Sequence, residues 1–141
     1  MAFLKDKDKK QIVKAFGNLE NEVKLIVFTQ EVGCQNCEIA REMVEEIAQL
    51  SERVTLEVFD FVKDAALAKE YGVDKVPAIV VQGERDYGIR FFGVPSGYEF
   101  TTLIEGIVDV SRRDPGLPSE LVAELDKVDQ PVHMQVMTSP T

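Results

Sequence analysis

The sequence predicts an α/β fold, because segments with strand character alternate with segments of helical periodicity along residues 1–113. The chain has 141 residues, of which 45% are hydrophobic and 29% are charged. This is the composition of a globular protein that is long enough to bury a core without disulfide or metal staples. Apolar residues recur at helical spacing or in short β-branched runs, and turn residues separate these segments. We therefore expect a sheet packed between helices.

The elements follow one another in a regular order. The pattern predicts a helix that begins at Asp6 and stops near Gly17, and then a strand over 23–29 whose apolar run is typical of burial on both faces. A second helix is predicted to open at Cys34. The other predicted elements are a strand over 53–60, a helix over 65–71, a strand over 78–81 directly after Pro77, a turn at Gly83-Glu84 with a returning hairpin arm over 87–92, and a helix over 98–111.

The end of the chain repeats its beginning at a constant offset of 109 residues. Ile12 and Phe16 correspond to Leu121 and Leu125, and the strand over 23–29 corresponds to residues 132–138. We expect a domain over 1–113, a linker over 114–118 and, over 119–141, the truncated start of a second copy with a helix over 119–128 and a strand over 132–137. The apolar faces of this helix and strand must be shielded from water by contact with another surface. We expect its helix to be ordered, and its strand to join a sheet or to form a homodimer through residues 119–138.

Charge and hydropathy exclude several classes of function. The formal net charge is −9, which repels phosphate backbones and anionic lipid, so we expect neither nucleic acid nor membrane as a partner. The first ten residues become highly charged before any apolar region forms, and no run approaches the length of a membrane span. We expect a cytoplasmic protein without a signal peptide.

The segment Cys34-Gln35-Asn36-Cys37 contains both cysteines of the chain. At the start of a helix this spacing brings the two sulfurs within bonding range. Backbone N–H groups that have no acceptor in the first helical turn, including those of Asn36 and Cys37, stabilise a thiolate at Cys34. We predict that Cys34 is the nucleophile of a thiol–disulfide exchange and that Cys37 resolves the mixed disulfide.

The cysteines also allow two other interpretations. The pair could be half of a zinc site, but a structural site needs four ligands, and His133 is the only other soft or imidazole ligand in the chain. The cysteines could also be inert and buried. A CxxC that opens a helix after a buried strand favours redox chemistry, so no metal site and no cofactor is predicted.

Further residues extend the pattern beyond the cysteines. Taken alone, Val76-Pro77 reads as a trans peptide and a plain strand-initiating proline. Together with the CxxC at a strand-to-helix junction and Phe92-Gly93 after the fourth strand, it resembles the thioredoxin and glutaredoxin superfamily. More narrowly, the CQxC motif and residues 24–28, 90–100 and 107–112 resemble the N-terminal unit of the protein disulfide oxidoreductases of hyperthermophiles, which contain two thioredoxin-fold units in tandem.

The resemblance implies a thioredoxin-like fold, with a central mixed four-stranded sheet flanked by helices and the remnant helix and strand of a second unit. It implies a protein disulfide oxidoreductase in which Pro77 is cis and faces the cysteine pair. The backbone of Val76 would pair with an extended client peptide, and Gly93 would leave room for it. Electrons would come from a flavin-dependent reductase similar to thioredoxin reductase, or from a small thiol.

The chain departs from the family at two places. Thioredoxins carry a buried acid where this chain has Phe28, and a Trp where it has Val32-Gly33. The base for Cys37 is therefore open among a water, Lys63, Lys75 and Glu31.

Acidic residues near the motif also bear on its redox potential. Glu31, Glu38 and Glu42 oppose the helix dipole, and Gln35 and Asn36 add no positive charge. We predict a Cys34 pKa in the upper part of the ~3.5–7.5 range for such sites, and a potential nearer about −270 mV than about −120 mV. The rival functions are a non-catalytic thioredoxin-fold docking module and a glutathione-dependent glutaredoxin.

Overall fold

A computed structural model of the chain describes residues 3–139, and its elements alternate as predicted. The helices are α1 (Asp6–Phe16), α2 (Cys37–Ala48), α3 (Ala65–Glu70), α4 (Tyr98–Arg112) and α5 (Ser119–Leu125), and the strands are β1 (Val23–Thr29), β2 (Val54–Asp60), β3 (Ala78–Gln82) and β4 (Ile89–Phe92).

The four strands form one mixed sheet in the order β2-β1-β3-β4. β1 runs parallel to β2 and antiparallel to β3, and β4 runs antiparallel to β3. This arrangement confirms the α/β architecture with a central mixed four-stranded sheet. β1 is central because its apolar run can face packed helices on both sides of the sheet.

Alternate residues of β1 serve two separate cores. Leu25 and Val27 pack with residues of α1, α2 and α4 on one face. Ile26 and Phe28 pack with α3 and the segment after it on the other face. Successive strand residues point to opposite faces, so a single apolar strand anchors helices on both sides.

A buried serine joins the end of α4 to the segment between α1 and β1. The Ser111 hydroxyl accepts hydrogen bonds from the backbone N–H groups of Glu20 and Asn21 at 2.9 and 3.0 Å, and it donates to the Asn21 carbonyl at 2.6 Å. The Asn21 amide donates in turn to the Ser111 carbonyl at 2.7 Å. This serine thereby provides hydrogen-bond partners for the backbone groups that directly precede β1.

The predicted starts of α2 and β4 were wrong. The helix predicted to open at Cys34 begins at Cys37, because Gln35 and Asn36 form a turn ahead of it. The hairpin arm predicted from residue 87 begins at Ile89, because the Asp86 carboxylate accepts the Gly88 N–H and binds Arg90, which shapes a longer loop.

The end of the chain forms its predicted helix but not its predicted strand. α5 is present and ends at Leu125, and residues 126–139 contain neither helix nor strand, so the strand over 132–137 is not formed here. The matching side chains Ile12 and Phe16 are 3% and 6% exposed, whereas Leu121 and Leu125 are 45% and 52% exposed. A strand needs a hydrogen-bonded neighbour, and residues 132–137 pair with none of the strands that the structure describes within residues 3–139.

None of the helices in residues 3–139 has the length and apolar character that crossing a bilayer would require.

We expect Ser111→Ala to lower the free energy of unfolding by about 1–3 kcal/mol, because two backbone N–H groups lose their acceptor in a buried position. Chemical denaturation followed by circular dichroism measures this loss. The control Ser96→Ala changes an exposed serine and should alter stability by less than about 0.5 kcal/mol. Equal effects of the two substitutions would contradict the assigned role of Ser111.

Candidate active site

The two cysteines form a disulfide at the carboxyl end of β1. The Cys34–Cys37 S–S distance is 1.96 Å and the two Cα atoms lie 5.5 Å apart. Cys34 is half-buried, whereas Cys37 is 4% exposed. The structure therefore brings the predicted pair together, with the first sulfur on the solvent side. Within residues 3–139, no group of three or more His, Cys, Asp or Glu side chains is arranged to hold a metal ion.

Cys34 lies just ahead of the amino end of α2. Asn36 is the N-cap residue, no side chain caps this end, and the first helical hydrogen bond runs from the Ala40 N–H to the Asn36 carbonyl at 3.0 Å. The backbone N–H groups of residues 37–39 thus have no acceptor within the helix. They and the helix dipole favour a negative charge at this end, as the sequence predicted for Cys34. Glu38, an acid in the first turn, shares the same environment.

A shallow cavity of about 490 Å³ lies beside the disulfide. Gly33, Cys34, Gln35 and Asn36 line one side of it, and Val76 and Pro77 line the other. The Val76–Pro77 peptide bond is cis, as the family resemblance implied. The motif interior and the Val-Pro segment therefore face the same space.

Gly93 stands behind this cavity rather than among the residues that line it. Its N–H donates to the Pro77 carbonyl at 2.9 Å and extends the pairing of β3 with β4. Its φ of 87° is disfavoured for residues with a side chain, although a Cβ here would meet no atom within 4 Å. The backbone conformation by itself favours glycine at this position, and the role of Gly93 in leaving room for a client peptide stays a prediction.

Aromatic residues fill the position where thioredoxins carry a buried acid. Phe28 is fully buried, and its ring centroid lies 5.7 Å from that of Phe59 and 6.0 Å from that of Tyr71. The core beneath the site is thus apolar at this point.

Both lysines considered as a base for Cys37 are held by carboxylates. The Lys63 ammonium lies 2.6 Å from the Glu31 carboxylate, and this hydrogen bond, with the charge of Glu31, raises the pKa of Lys63. The Lys75 ammonium lies 2.7 Å from Asp74 and 4.5 Å from the centroid of the Phe92 ring. Neither lysine lines the cavity. The base for Cys37 therefore stays open between a water and Glu31. Glu31 is also less free to repel a thiolate than its formal charge suggested.

Sequence reasoning missed two residues that shape the loop before Cys34. The Gln30 side-chain amide donates to the Val32 carbonyl at 2.5 Å. The Asp60 carboxylate accepts the backbone N–H groups of Val62 and Lys63, both at 2.9 Å. An Asp at the end of a strand is a known signal for such a turn, so Asp60 could have been singled out.

Comparison with known proteins decides the family. The sequence model of the family described as "Thioredoxin domain" matches residues 22–105, which is more than half of the chain. The chain belongs to the thioredoxin-domain family. One relative, a probable thioredoxin of Methanothermobacter thermautotrophicus, is 36% identical over 88 residues, which cover 62% of this chain and 94% of that protein.

Larger proteins match as well, but only over part of their length. The NADH dehydrogenase of Bacillus subtilis is 27% identical over 123 residues, which cover 87% of this chain and 22% of that protein. An alkyl hydroperoxide reductase component of Staphylococcus epidermidis is 28% identical over 103 residues, covering 72% of this chain and 18% of that protein. The chain thus spans about a fifth of the length of these two relatives.

Solved structures confirm the thioredoxin-like fold. The protein disulfide oxidoreductase of Aeropyrum pernix superposes with a TM-score of 0.77 at 22% identity, covering 87% of this chain and 54% of that one. An N-terminal domain of the alkyl hydroperoxide reductase of Enterococcus faecalis superposes with a TM-score of 0.79 at 24% identity, covering 87% of this chain and 60% of that one.

In the reduced protein, we expect iodoacetamide to modify Cys34 at least about tenfold faster than Cys37, since Cys34 is the more exposed and lies at the helix end that favours thiolate. Peptide mapping by mass spectrometry after short exposures gives both rates, and the unreduced protein serves as the unreactive control. Equal rates at the two cysteines would contradict the asymmetry of the site.

Proposed function

We propose that this chain is a protein disulfide oxidoreductase, in which Cys34 attacks and Cys37 resolves. The observation that carries the proposal is the placement of Cys34. It is bonded to a buried partner, half-exposed at a cavity, and opposite Val76 and Pro77. Membership in the thioredoxin-domain family supports redox chemistry for such a pair.

The reaction starts from the reduced pair. The Cys34 thiolate attacks one sulfur of a client disulfide, which forms a mixed disulfide and releases one client thiolate. Cys37 loses its proton to a water or to Glu31, and its thiolate attacks the Cys34 sulfur. The Cys34–Cys37 disulfide forms, the second client thiolate leaves, and two electrons have passed to the client. In the bonded pair the Cα atoms lie 5.5 Å apart, within the usual range for a disulfide.

The client would approach along the cavity beside Cys34. Val76 is half-buried there, and its backbone would pair with an extended peptide, while Pro77 would pack against the client disulfide. Gly93 would leave room for the client peptide, and its N–H donates to the Pro77 carbonyl. Gln35 and Asn36 are exposed on the opposite wall and would contact the client through their amides.

Electrons would reach the pair from a flavin-dependent reductase similar to thioredoxin reductase, or from a small thiol. The similarity to parts of proteins named NADH dehydrogenase and alkyl hydroperoxide reductase supports the first donor. We place the reaction in the cytoplasm, where such donors keep thiols reduced.

We also propose that residues 1–113 are the redox domain, residues 114–118 a linker and residues 119–141 the start of a second unit. The exposed apolar residues of the last segment support this division, since their counterparts in α1 and β1 are buried. In the isolated chain, two copies of residues 119–138 would cover each other and pair their strands into a homodimer.

An insulin-reduction assay with dithiothreitol as donor tests the activity. We expect Cys34→Ser to abolish the acceleration over buffer, and Cys37→Ser to accumulate a mixed disulfide with the client that mass spectrometry identifies. Ser96→Ala is the control, with unchanged activity. If the parent chain fails to accelerate the reaction, the docking-module alternative stands instead. Turnover sustained by glutathione alone would favour the glutaredoxin alternative.

Sedimentation of the chain tests the dimer. We expect a dimer that Val136→Lys dissociates, because a buried charge between paired strands is costly. Gln135→Lys is the matched control, since it adds the same charge on the opposite side of the strand. A monomer whose segment beyond Pro118 is readily cut by protease would rule out the dimer.

A further inference from the structure

We propose that Asp60 and Lys63 are positioning residues that hold the loop before Cys34 and tune the acidity of its thiol. The inference rests on the proposed function, since it concerns the reactivity of the same cysteine. We call the residues that join the loop before Cys34 to the turn after β2 the loop clamp. They are Gln30, Glu31, Asp60, Val62 and Lys63.

The loop clamp joins two loops at one end of the sheet. The Phe61 N–H donates to the Thr29 carbonyl at 2.8 Å, so the ends of β1 and β2 are tied together by the backbone. Asp60 shapes the turn after β2 by accepting the Val62 and Lys63 N–H groups at 2.9 Å. That turn presents the Lys63 ammonium to the Glu31 carboxylate at 2.6 Å.

The ionisation of Asp60 agrees with this role. The Lys63 backbone N–H, followed by the Val62 N–H, the charge of Lys63 and the Glu31 backbone, lowers the pKa of Asp60 against the opposing effect of burial. The carboxylate is therefore charged at neutral pH, where it holds the turn after β2 that carries Lys63. Glu31, Val32, Asp60, Val62 and Lys63 also line one common surface depression with Gln30.

The charge of Lys63 matters because Glu31 is close to Cys34 in the chain. Glu31 precedes Cys34 by three residues, so their Cα atoms can lie at most about 10 Å apart. A solvent-exposed carboxylate roughly 10–15 Å from the sulfur, left without its partner, would raise the pKa of the Cys34 thiol by about 0.2–0.3 unit. Lys63 offsets most of this repulsion and so keeps the pKa of the Cys34 thiol lower.

The other charged residues near the site are not changed in the variants proposed below. Glu38 lies in the first turn of α2, and Asp74 and Lys75 are paired with each other ahead of Val76. The Lys63 and Glu31 side chains are 66% and 73% exposed, so their ion pair adds little to global stability. An effect on the thiol can therefore be separated from an effect on folding.

The test of Lys63 is a thiolate titration of the full chain, followed by absorbance near 240 nm in a Cys37→Ser background. We expect Lys63→Gln to raise the Cys34 pKa by about 0.2–0.3 unit, Glu31→Gln to lower it, and the double variant to return close to the parent value. Lys127→Gln is the matched control, because the Lys127–Glu124 pair has the same 2.6 Å distance and similar exposure. It should leave the pKa unchanged. Equal pKa values in Lys63→Gln and Lys127→Gln, or no return in the double variant, would overturn the proposal for Lys63.

Asp60 is tested by amide hydrogen exchange in the full chain. We expect Asp60→Asn to speed exchange at residues 30–33 about threefold or more, because the loop loses its anchor. The control Asp114→Asn removes a carboxylate that likewise accepts a backbone N–H, that of Gly116, at 2.9 Å. It should leave residues 30–33 unaffected. Unchanged exchange there in Asp60→Asn would overturn the proposal for Asp60. Neither readout depends on turnover, so an inactive parent with these shifts would refute the proposed function and leave the loop clamp standing.

Discussion

The pairing register of β1 with β3 determines where the cysteine site lies. Phe28 is opposite Ala78 in the antiparallel pair of β1 and β3, and Phe92 is opposite Ala78 on the other side. The residues that follow β1 and precede β3 therefore meet at one end of the sheet. This register brings the cysteine loop and the Val76-Pro77 segment to a common cavity, and a shift by one residue would turn the apolar side chains of β1 to the wrong faces. Burial on both sides of β1 is thus what holds the two walls of the site in place.

The site at the end of this strand combines a buried apolar core with polar groups at the surface. Phe28 and its aromatic neighbours make the core at the end of β1 apolar, while the uncapped amino end of α2 favours negative charge at Cys34. The two cysteines are thereby differentiated by environment although only two residues separate them. Lys63 and Lys75, two candidate bases for Cys37, are each paired with a carboxylate.

Local sequence patterns predicted the features that depend on residues close to one another in the chain. The bounds of β1 and the start of α1 followed from runs of apolar residues, and the cysteine pair followed from its spacing at a strand-to-helix junction. Contacts between distant segments could not be read in this way. The pairing of Glu31 with Lys63 depends on how two loops lie next to each other, and formal charge alone made Glu31 an unopposed acid. The strand expected over 132–137 needs a partner strand, which a repeat in the sequence cannot supply. The start of α2 was placed too early because a turn of polar residues has no periodicity of its own.

The proposed chemistry depends on a dithiol that we expect to be only moderately stabilised in its reduced form, because Glu38 in the first turn of α2 opposes the effect of the helix end. Equilibrium redox titration of the full chain against glutathione, with the dithiol fraction read by mass after alkylation, measures this balance directly. We predict a single two-electron transition nearer about −270 mV than about −120 mV. A midpoint above about −180 mV, or the absence of a dithiol-to-disulfide transition, would contradict it.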